Sequence, residues 1–152
     1  MKIPEGLKIR AARKEDIPSL TKLANELGHP TTVEEVAARF EAATRTPDCA
    51  VFVAELAGGG IAGFVELACE RLLDAPPRVD VAGLVVADTH RGGGIGRLLM
   101  ARGEEWTLEH GFEIIHLRTN VKRAAAHAFY ERIGYRHTKT QKTFVKALKA
   151  RK

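Results

Sequence analysis

An apolar stretch that runs directly into a glycine-rich turn is the feature that most constrains this chain. Residues Leu84–Ala87 predict a buried strand, and the apolar spacing after Gly92–Gly96 predicts a helix that begins within the turn. Glycines allow a backbone to approach a ligand closely and to direct several N–H groups at one point, and a helix N-terminus adds a partial positive charge. The segment therefore predicts a pyrophosphate-binding turn, to which Arg91 and Arg97 can add charge-assisted hydrogen bonds.

The two commoner nucleotide-binding loops do not fit this segment. A P-loop ends in Gly-Lys-Ser/Thr, whereas Gly96 is followed by Arg97. The dinucleotide fingerprint ends in glycine or alanine, and that position holds Arg97 when counted from Gly92 and Leu99 when counted from Gly94. A formal match to the fingerprint at Gly58–Gly63 lies between two predicted strands, so we interpret it as a hairpin loop.

Hydrophobic periodicity along the rest of the chain predicts a mixed α/β fold. The predicted helices are Lys14–Leu27, Val33–Phe40, Gly94–His110 and Ala124–Ile133, and the predicted strands are Lys8–Ala12, Ala50–Leu56, Ile61–Cys69, Val79–Ala87, Glu113–Arg118 and one or two more within Tyr135–Leu148. The order β-α-α-β-β-β-α-β-α-β(β) combines a meander with a β-α-β crossover. It therefore predicts a mixed sheet of six or seven strands with helices on both faces, and not a doubly wound dinucleotide fold.

The composition is that of a single globular domain spanning residues 1–152. The 152 residues are 45% hydrophobic and 28% charged, which is sufficient for a buried core without disulfides. No apolar run is long enough to span a bilayer, and residues 1–10 lack the apolar stretch of a signal peptide, so we expect a cytoplasmic protein. Cys49, Cys69 and the histidines show no metal-binding spacing, so we expect no metal.

The net charge of +5 fits either a phosphate-rich small ligand or a nucleic acid. Much of the basic excess lies near the C-terminal end, where a charged tail is commonly solvated. The basic run has no interleaved aromatic residues, which are typical of nucleic-acid-binding surfaces. We therefore expect neither a nucleic-acid nor a membrane partner.

Two separated motifs make the chain resemble the GNAT superfamily of N-acetyltransferases. The segment Arg91–Gly96 matches the family signature Arg/Gln-x-x-Gly-x-Gly/Ala, and Ala126–Tyr135 is similar to its second cofactor segment, Ala-x-x-x-Tyr-x-x-x-Gly-Phe/Tyr. The opening residues Ile9–Asp16 also resemble the usual start of the family. The resemblance covers nearly the whole chain in order, and it implies a mostly antiparallel sheet and an acetyl group donated by acetyl-CoA.

The resemblance also implies which residues contact coenzyme A. The backbone of Leu84 to Val86 would pair with the pantetheine arm, and the turn Arg91–Gly96 would hold the pyrophosphate. Many family members carry asparagine seven residues before the tyrosine, where this chain has Arg123, while Asn120 stands three residues earlier; either one could contact the cofactor. The implied contacts are Leu84, Val85, Val86, Arg91, Gly92, Gly93, Gly94, Ile95, Gly96, Arg97, Asn120, Arg123, Ala126, Phe129 and Tyr130.

Three residues are candidates for proton transfer. Tyr130 occupies the position where many family members place the general acid, and a phenol near the sulfur can protonate a departing thiolate. The amine must be neutral to attack, and Asp80, eleven residues before Arg91, stands where some members carry a glutamate base. Glu66 interrupts an apolar strand and is the second candidate base, although an ion pair with a nearby Arg or Lys would explain either carboxylate equally well.

Two alternatives to an acetyltransferase remain at this point. The first is an acyl-CoA-binding sensor without catalysis, which would use the same turn. The second is a basic nucleic-acid-binding protein, in which the glycine-rich turn would have no function. The acceptor amine is not readable from the sequence and could be a small molecule or a peptide. The resemblance also implies a homodimer, because family members often pair through their C-terminal elements.

Overall fold

The computed structural model describes residues 3–150, and the chain forms two compact units, one ending at Arg118 and the other beginning at Thr119. The first unit holds strands β1 to β5 and helices α1 to α3, and the second holds helix α4. Their bounds are β1 Lys8–Ala11, α1 Ile17–Glu26, α2 Val33–Thr44, β2 Cys49–Glu55, β3 Ile61–Glu70, β4 Arg78–Val86, α3 Ile95–Glu109, β5 Ile115–Leu117 and α4 Ala124–Arg132. The single domain of residues 1–152 stays a prediction.

The sheet of the first unit has five strands in the order β1-β2-β3-β4-β5. Strands β1 to β4 form an antiparallel meander, whereas β5 pairs with β4 in parallel after the crossover through α3. The mixed, mostly antiparallel sheet confirms the predicted fold class. Thr32 begins α2 with the capping box expected from its spacing to Glu35, since each side chain bonds the other's backbone N–H.

Cross-strand register divides the sheet into two faces. Helix α3 packs on one face, where Gly103 of the helix lies against Leu67 of β3. On the same face Leu99 of the helix lies so close to Gly63 of β3 that a Cβ atom added there would be 3.2 Å from the Leu99 Cδ1 atom. Val53 and Val85 are buried on the opposite face, because both are register partners of Phe64, the neighbour of Gly63. Helix α1 also contacts β3 and β4. Apolar packing therefore occupies both faces, as the sequence predicted.

A β-bulge at Ala82 marks the point where β4 leaves β5. Glu66 pairs with Gly83 and Leu67 pairs with Val81, so Ala82 is the additional residue on β4. The parallel pairing with β5 covers only residues 79–81 of β4. From the bulge to Val86, β4 is therefore paired on its β3 side, and its other edge carries no strand of the described residues.

The one or two strands predicted within Tyr135–Leu148 are wrong. Among residues 3–150 the sheet has five strands, and residues 135–150 contain no strand or helix. The prediction rested on the β-propensity of side chains such as Phe144 and Val145, which here are exposed. Propensity indicates a strand only where a neighbouring edge can pair with it, and no such pairing occurs here.

Two further features of the sequence have plain structural outcomes. Cys49 and Cys69 are free thiols on β2 and β3, and both are half-buried rather than fully buried in the core. Within the described part of the chain, no helix combines the length and the apolar character needed to cross a membrane.

Candidate functional site

The glycine-rich turn presents unpaired backbone N–H groups at the start of α3. Gly92 and Gly94 have φ angles of 79° and 89°, which residues other than glycine rarely adopt. Gly94 is the N-cap and provides no side-chain cap, and Leu98 is the first helical residue whose N–H reaches a carbonyl, that of Gly94 at 3.1 Å. The N–H groups of Ile95 to Arg97 therefore lack acceptors within the helix and are oriented for an anion.

Arg91 lies at the edge of this turn and is held there by two contacts. Its Nε donates a hydrogen bond to the carbonyl of Val86 at 3.1 Å, and its guanidinium pairs with Asp88 at 2.8 Å. Arg97 is exposed on the first turn of α3. Both predicted arginines thus stand beside the unpaired N–H groups, where they add positive charge.

The C-terminal half of β4 leads into the turn through a short 3-10 helix, Asp88–His90, and has one open edge. Leu84, Val85 and Val86 pair with β3 on one side, and a side chain at Gly63 would come within 2.7 Å of the Val85 carbonyl oxygen. Glycine at this β3 position therefore permits close strand pairing. The opposite edge can pair with an extended amide-containing chain in the manner of an added strand.

Asp80 lies at the base of the open edge, in a cluster of charged groups from three strands. It is the register partner of Ala68 on β3 and of His116 on β5. Its Oδ1 atom is 3.4 Å from His116 Nε2 and 3.7 Å from an Arg118 nitrogen, yet it makes no hydrogen bond to any described residue. Asp80 as a whole is only 8% exposed.

Glu70 completes the cluster and, unlike Asp80 Oδ1, has an oxygen that accepts two hydrogen bonds. Its Oε1 atom accepts hydrogen bonds from His116 Nε2 at 3.0 Å and from Arg78 Nε at 2.9 Å. Burial raises the pKa of Glu70, but the bonds from His116 and Arg78 outweigh burial and hold this pKa below its usual value. Burial raises the pKa of Asp80 above its usual value, and the opposing charges of His116 and Arg118 do not cancel the effect. Two neighbouring carboxyls therefore differ in proton affinity.

Glu66, the second predicted base, lies on the same face of the sheet as Asp80. It shares that face because β3 alternates regularly from Glu66 to Ala68, the partner of Asp80. Opposite Glu66 stands Gly83, and a side chain there would come within 3.8 Å of the Glu66 carboxylate. Burial, and next the charge of Asp80, raise the pKa of Glu66.

His116 and Glu70 are the site residues that the sequence analysis missed. The histidines were considered only for metal-binding spacing, and the predicted strand Ile61–Cys69 stops one residue before Glu70. The alternation Glu66, Ala68, Glu70 was the available signal, because it places both glutamates on one face. Ligand atoms of Glu70, Asp80 and His116 lie within 4.8 Å of one another, but Arg78 and Arg118 already supply positive charge to these carboxylates.

In the second unit, Asn120 organises the turn that precedes α4. Its Oδ1 atom accepts from the Lys122 N–H at 2.9 Å, and its carbonyl accepts from the Arg123 N–H at 3.0 Å and from His127 Nε2 at 2.8 Å. These bonds leave Arg123, the N-cap of α4, exposed with its side chain available. Of the two residues considered for cofactor contact, Asn120 already has a structural role.

Tyr130 lies on α4 among aromatic neighbours. Its ring is 5.1 Å from that of Phe129 and 6.0 Å from that of Tyr135, both in edge-on arrangements. Burial raises the pKa of the phenol, and the charge of Arg123 offsets this only in part. The phenol is therefore protonated at neutral pH, as a proton donor must be. Ala126, the other cofactor residue predicted on this helix, is half-buried.

Comparison with known proteins agrees with this fold and these motifs. The Acetyltransferase (GNAT) family matches residues 15–135, so the chain belongs to that family. It is 42% identical over 69 residues to the aminoalkylphosphonate N-acetyltransferase of Salmonella typhimurium, covering 45% of this chain and 44% of that protein. It is 37% identical over 89 residues to the streptothricin acetyltransferase of Streptomyces lavendulae, covering 58% of this chain and 45% of that protein. The chain thus spans less than half the length of these curated relatives.

A solved structure shows the same fold at low sequence identity. The aminoglycoside N-acetyltransferase AAC(6')-Iy in complex with CoA superimposes with a TM-score of 0.83 at 21% identity, covering 95% of this chain and 98% of that chain. At this identity the likeness concerns the fold alone.

Proposed function

We propose that this protein is an acetyl-CoA-dependent N-acetyltransferase that acts on a primary amine by direct attack. The observation that carries the proposal is the continuity of the open β4 edge with the N–H groups at the start of α3. An extended arm that ends in a pyrophosphate matches this arrangement, because amides pair with a strand edge and phosphates with a helix N-terminus. Family membership of residues 15–135 supports the same conclusion.

The residues of the first unit fit coenzyme A chemically. Leu84, Val85 and Val86 would bind the pantetheine arm, and the turn of Arg91–Gly96, with Arg97, would bind the pyrophosphate. Arg123, Ala126 and Phe129 of α4 are proposed as further contacts on the basis of the motif, and Asn120 is the weaker candidate because its oxygens serve the turn.

The proton transfers are assigned to Asp80 and Tyr130. Bound acetyl-CoA supplies a thioester carbonyl that an amine can attack. Asp80 accepts the proton that the ammonium form of the acceptor must lose, and its buried Oδ1 atom has no competing hydrogen bond among the described residues. Tyr130 donates a proton to the departing thiolate. Glu66 is retained as the alternative base because it lies on the same face.

The acceptor is proposed to be a small molecule with a primary amine. The curated relatives are named for acetylation of an aminoalkylphosphonate and of streptothricin. Acidic groups along one sheet face, Glu66, Glu70 and Asp80, would favour a cationic amine near the open edge. A homodimer and a cytoplasmic location stay predictions.

Acetyl-CoA or CoA should raise the melting temperature, because a ligand that binds only the native state stabilises it. At a ligand concentration of about 100 Kd the gain is about 2.7 kcal/mol, which corresponds to about 5–10 °C for a chain of this size. In Gly94→Val the side chain should block the pyrophosphate and abolish the shift. Differential scanning fluorimetry measures both.

The matched control for this experiment is Gly111→Val, at the other end of α3. Gly111 has a φ of 81°, similar to the 89° of Gly94, so both variants suffer the same backbone strain. Gly111→Val should melt earlier but keep the full shift with acetyl-CoA. A full shift in Gly94→Val would place the pyrophosphate elsewhere, and no shift in the wild-type protein would reject the proposed function.

A further inference from the structure

The cluster around Asp80 lies where β4 and β5 separate. Asp80 and His116 form the middle pair of the short parallel ladder, Val81 and Leu117 form its last pair, and the bulge at Ala82 follows immediately. Asp80 is thus the last residue on its face before the open edge begins. A pantetheine arm held by its pyrophosphate at the turn and paired along that edge would extend from Val86 towards this carboxylate.

We propose that His116 and Glu70 are positioning residues that set the proton affinity of Asp80 for amine deprotonation. This inference rests on the proposed function, in which Asp80 is the base. Glu70 and His116 do not need to contact the amine; they act through Asp80.

The hydrogen bonds in the cluster support this role. The Nε2–H of His116 donates to Glu70 at 3.0 Å, which fixes the orientation of the ring. The same nitrogen is 3.4 Å from the unbonded Oδ1 atom of Asp80. Arg78 bonds Glu70 at 2.9 Å and prevents that carboxylate from moving away. His116 is therefore held beside Asp80 rather than free to turn to solvent.

The charges around Asp80 act in opposite directions. His116, Arg118 and Arg78 favour its ionised form, with His116 the strongest of the three. Burial and the negative charge of Glu70 favour its protonated form, and Glu66 faces it with a further negative charge. Loss of the His116 charge should therefore raise the pKa of Asp80, whereas loss of the Glu70 charge should lower it.

The proton balance of the step is simple. Asp80 takes one proton from the ammonium group, the amine nitrogen forms a bond to the thioester carbonyl carbon, and the carbon–sulfur bond breaks. The thiolate takes a proton from Tyr130, and the second proton that the nitrogen loses after attack restores the Tyr130 phenol. The proton on Asp80 passes to solvent, so each acetyl transfer releases one proton in total. Asp80 must be ionised before it can accept the proton, so kcat/KM decreases at pH values below the pKa of Asp80.

The test measures kcat/KM as a function of pH and compares its decrease at low pH, the acidic limb, in three variants. His116→Leu should move the limb to higher pH by about one unit, because a positive charge that favours ionised Asp80 is lost. His116→Gln keeps a polar side chain but carries no charge, so it should move the limb in the same direction as His116→Leu. Glu70→Gln should move it to lower pH. Glu109→Gln, at an exposed carboxylate paired with Arg102 on α3, is the control and should leave the limb unchanged.

A second readout does not depend on turnover. The carboxyl carbon of Asp80 in ¹³C-aspartate-labelled protein, assigned by its loss in Asp80→Asn, can be titrated by NMR without substrate. His116→Leu and Glu70→Gln should shift this titration in opposite directions. A purely structural role would move both variants the same way or neither, and either result would overturn the inference.

The two proposals fail in distinguishable ways. Turnover of an amine with unmoved acidic limbs in both variants would overturn this inference and leave the acetyltransferase intact. Opposite NMR shifts with no turnover of any amine would overturn the proposed function, and with it the catalytic role of the cluster.

Discussion

Tyr130→Phe should lower the turnover rate about 10²-fold or more while affinity for acetyl-CoA changes little. The substitution keeps the ring and its contacts with Phe129 and Tyr135, and it removes only the proton donor. General acid catalysis contributes about 10²–10⁴-fold to such reactions. A loss in kcat without a loss in binding marks an interaction made in the transition state. Steady-state kinetics with the best amine, and calorimetry with acetyl-CoA, measure the two quantities.

A structural role for Tyr130 predicts the opposite pattern. In that case Tyr130→Phe would be nearly silent in rate, and any loss would appear as a lower melting temperature. The thiol of coenzyme A is itself moderately acidic, so water can protonate the thiolate if the phenol does not. A rate within about threefold of wild type would therefore exclude Tyr130 as the acid and leave the rest of the mechanism in place.

Asp80→Asn should lower kcat/KM about 10²-fold or more, because the amide cannot accept the ammonium proton. Glu66→Gln removes a carboxylate from the same face and is the matched variant. Its effect should be smaller and should appear mainly in KM, since Glu66 attracts the cationic acceptor without taking its proton. The same assay performed at several pH values measures both variants.

Rescue at high pH separates the base from a purely electrostatic group. The Asp80→Asn rate should recover as the pH approaches the pKa of the acceptor amine, because the free amine then needs no base. A large kcat loss in Glu66→Gln together with a mild effect in Asp80→Asn would reverse the two assignments.

The glycine-rich turn could be predicted from the sequence because its conformation depends on neighbouring residues alone. Gly92 and Gly94 adopt positive φ angles, and α3 begins at Ile95, within the segment where the apolar spacing indicated a helix. A glycine-rich turn before a helix requires only neighbouring residues to form. The capping box at Thr32 was predictable for the same reason.

The environment of Asp80 was only partly readable. The sequence indicated Asp80 and Glu66 as candidate bases, but it could not align β4 with β5, whose parallel pairing depends on the crossover through α3. That register alone places His116 beside Asp80. The prediction for the C-terminal segment was wrong for a related reason, since β-propensity at positions 135–148 does not say whether these residues pair with a sheet, and here they form no strand.

Release of free thiol from acetyl-CoA across a panel of amines tests the central claim most directly. The panel should include an aminoalkylphosphonate, an aminoglycoside, polyamines and a lysine peptide, with mass spectrometry of the acceptor. The account predicts amine-dependent thiol release, with one acetyl group added to the nitrogen of at least one small cationic amine. Binding of acetyl-CoA with thiol release no faster than in the absence of protein, for every amine, would contradict it and would indicate an acyl-CoA sensor.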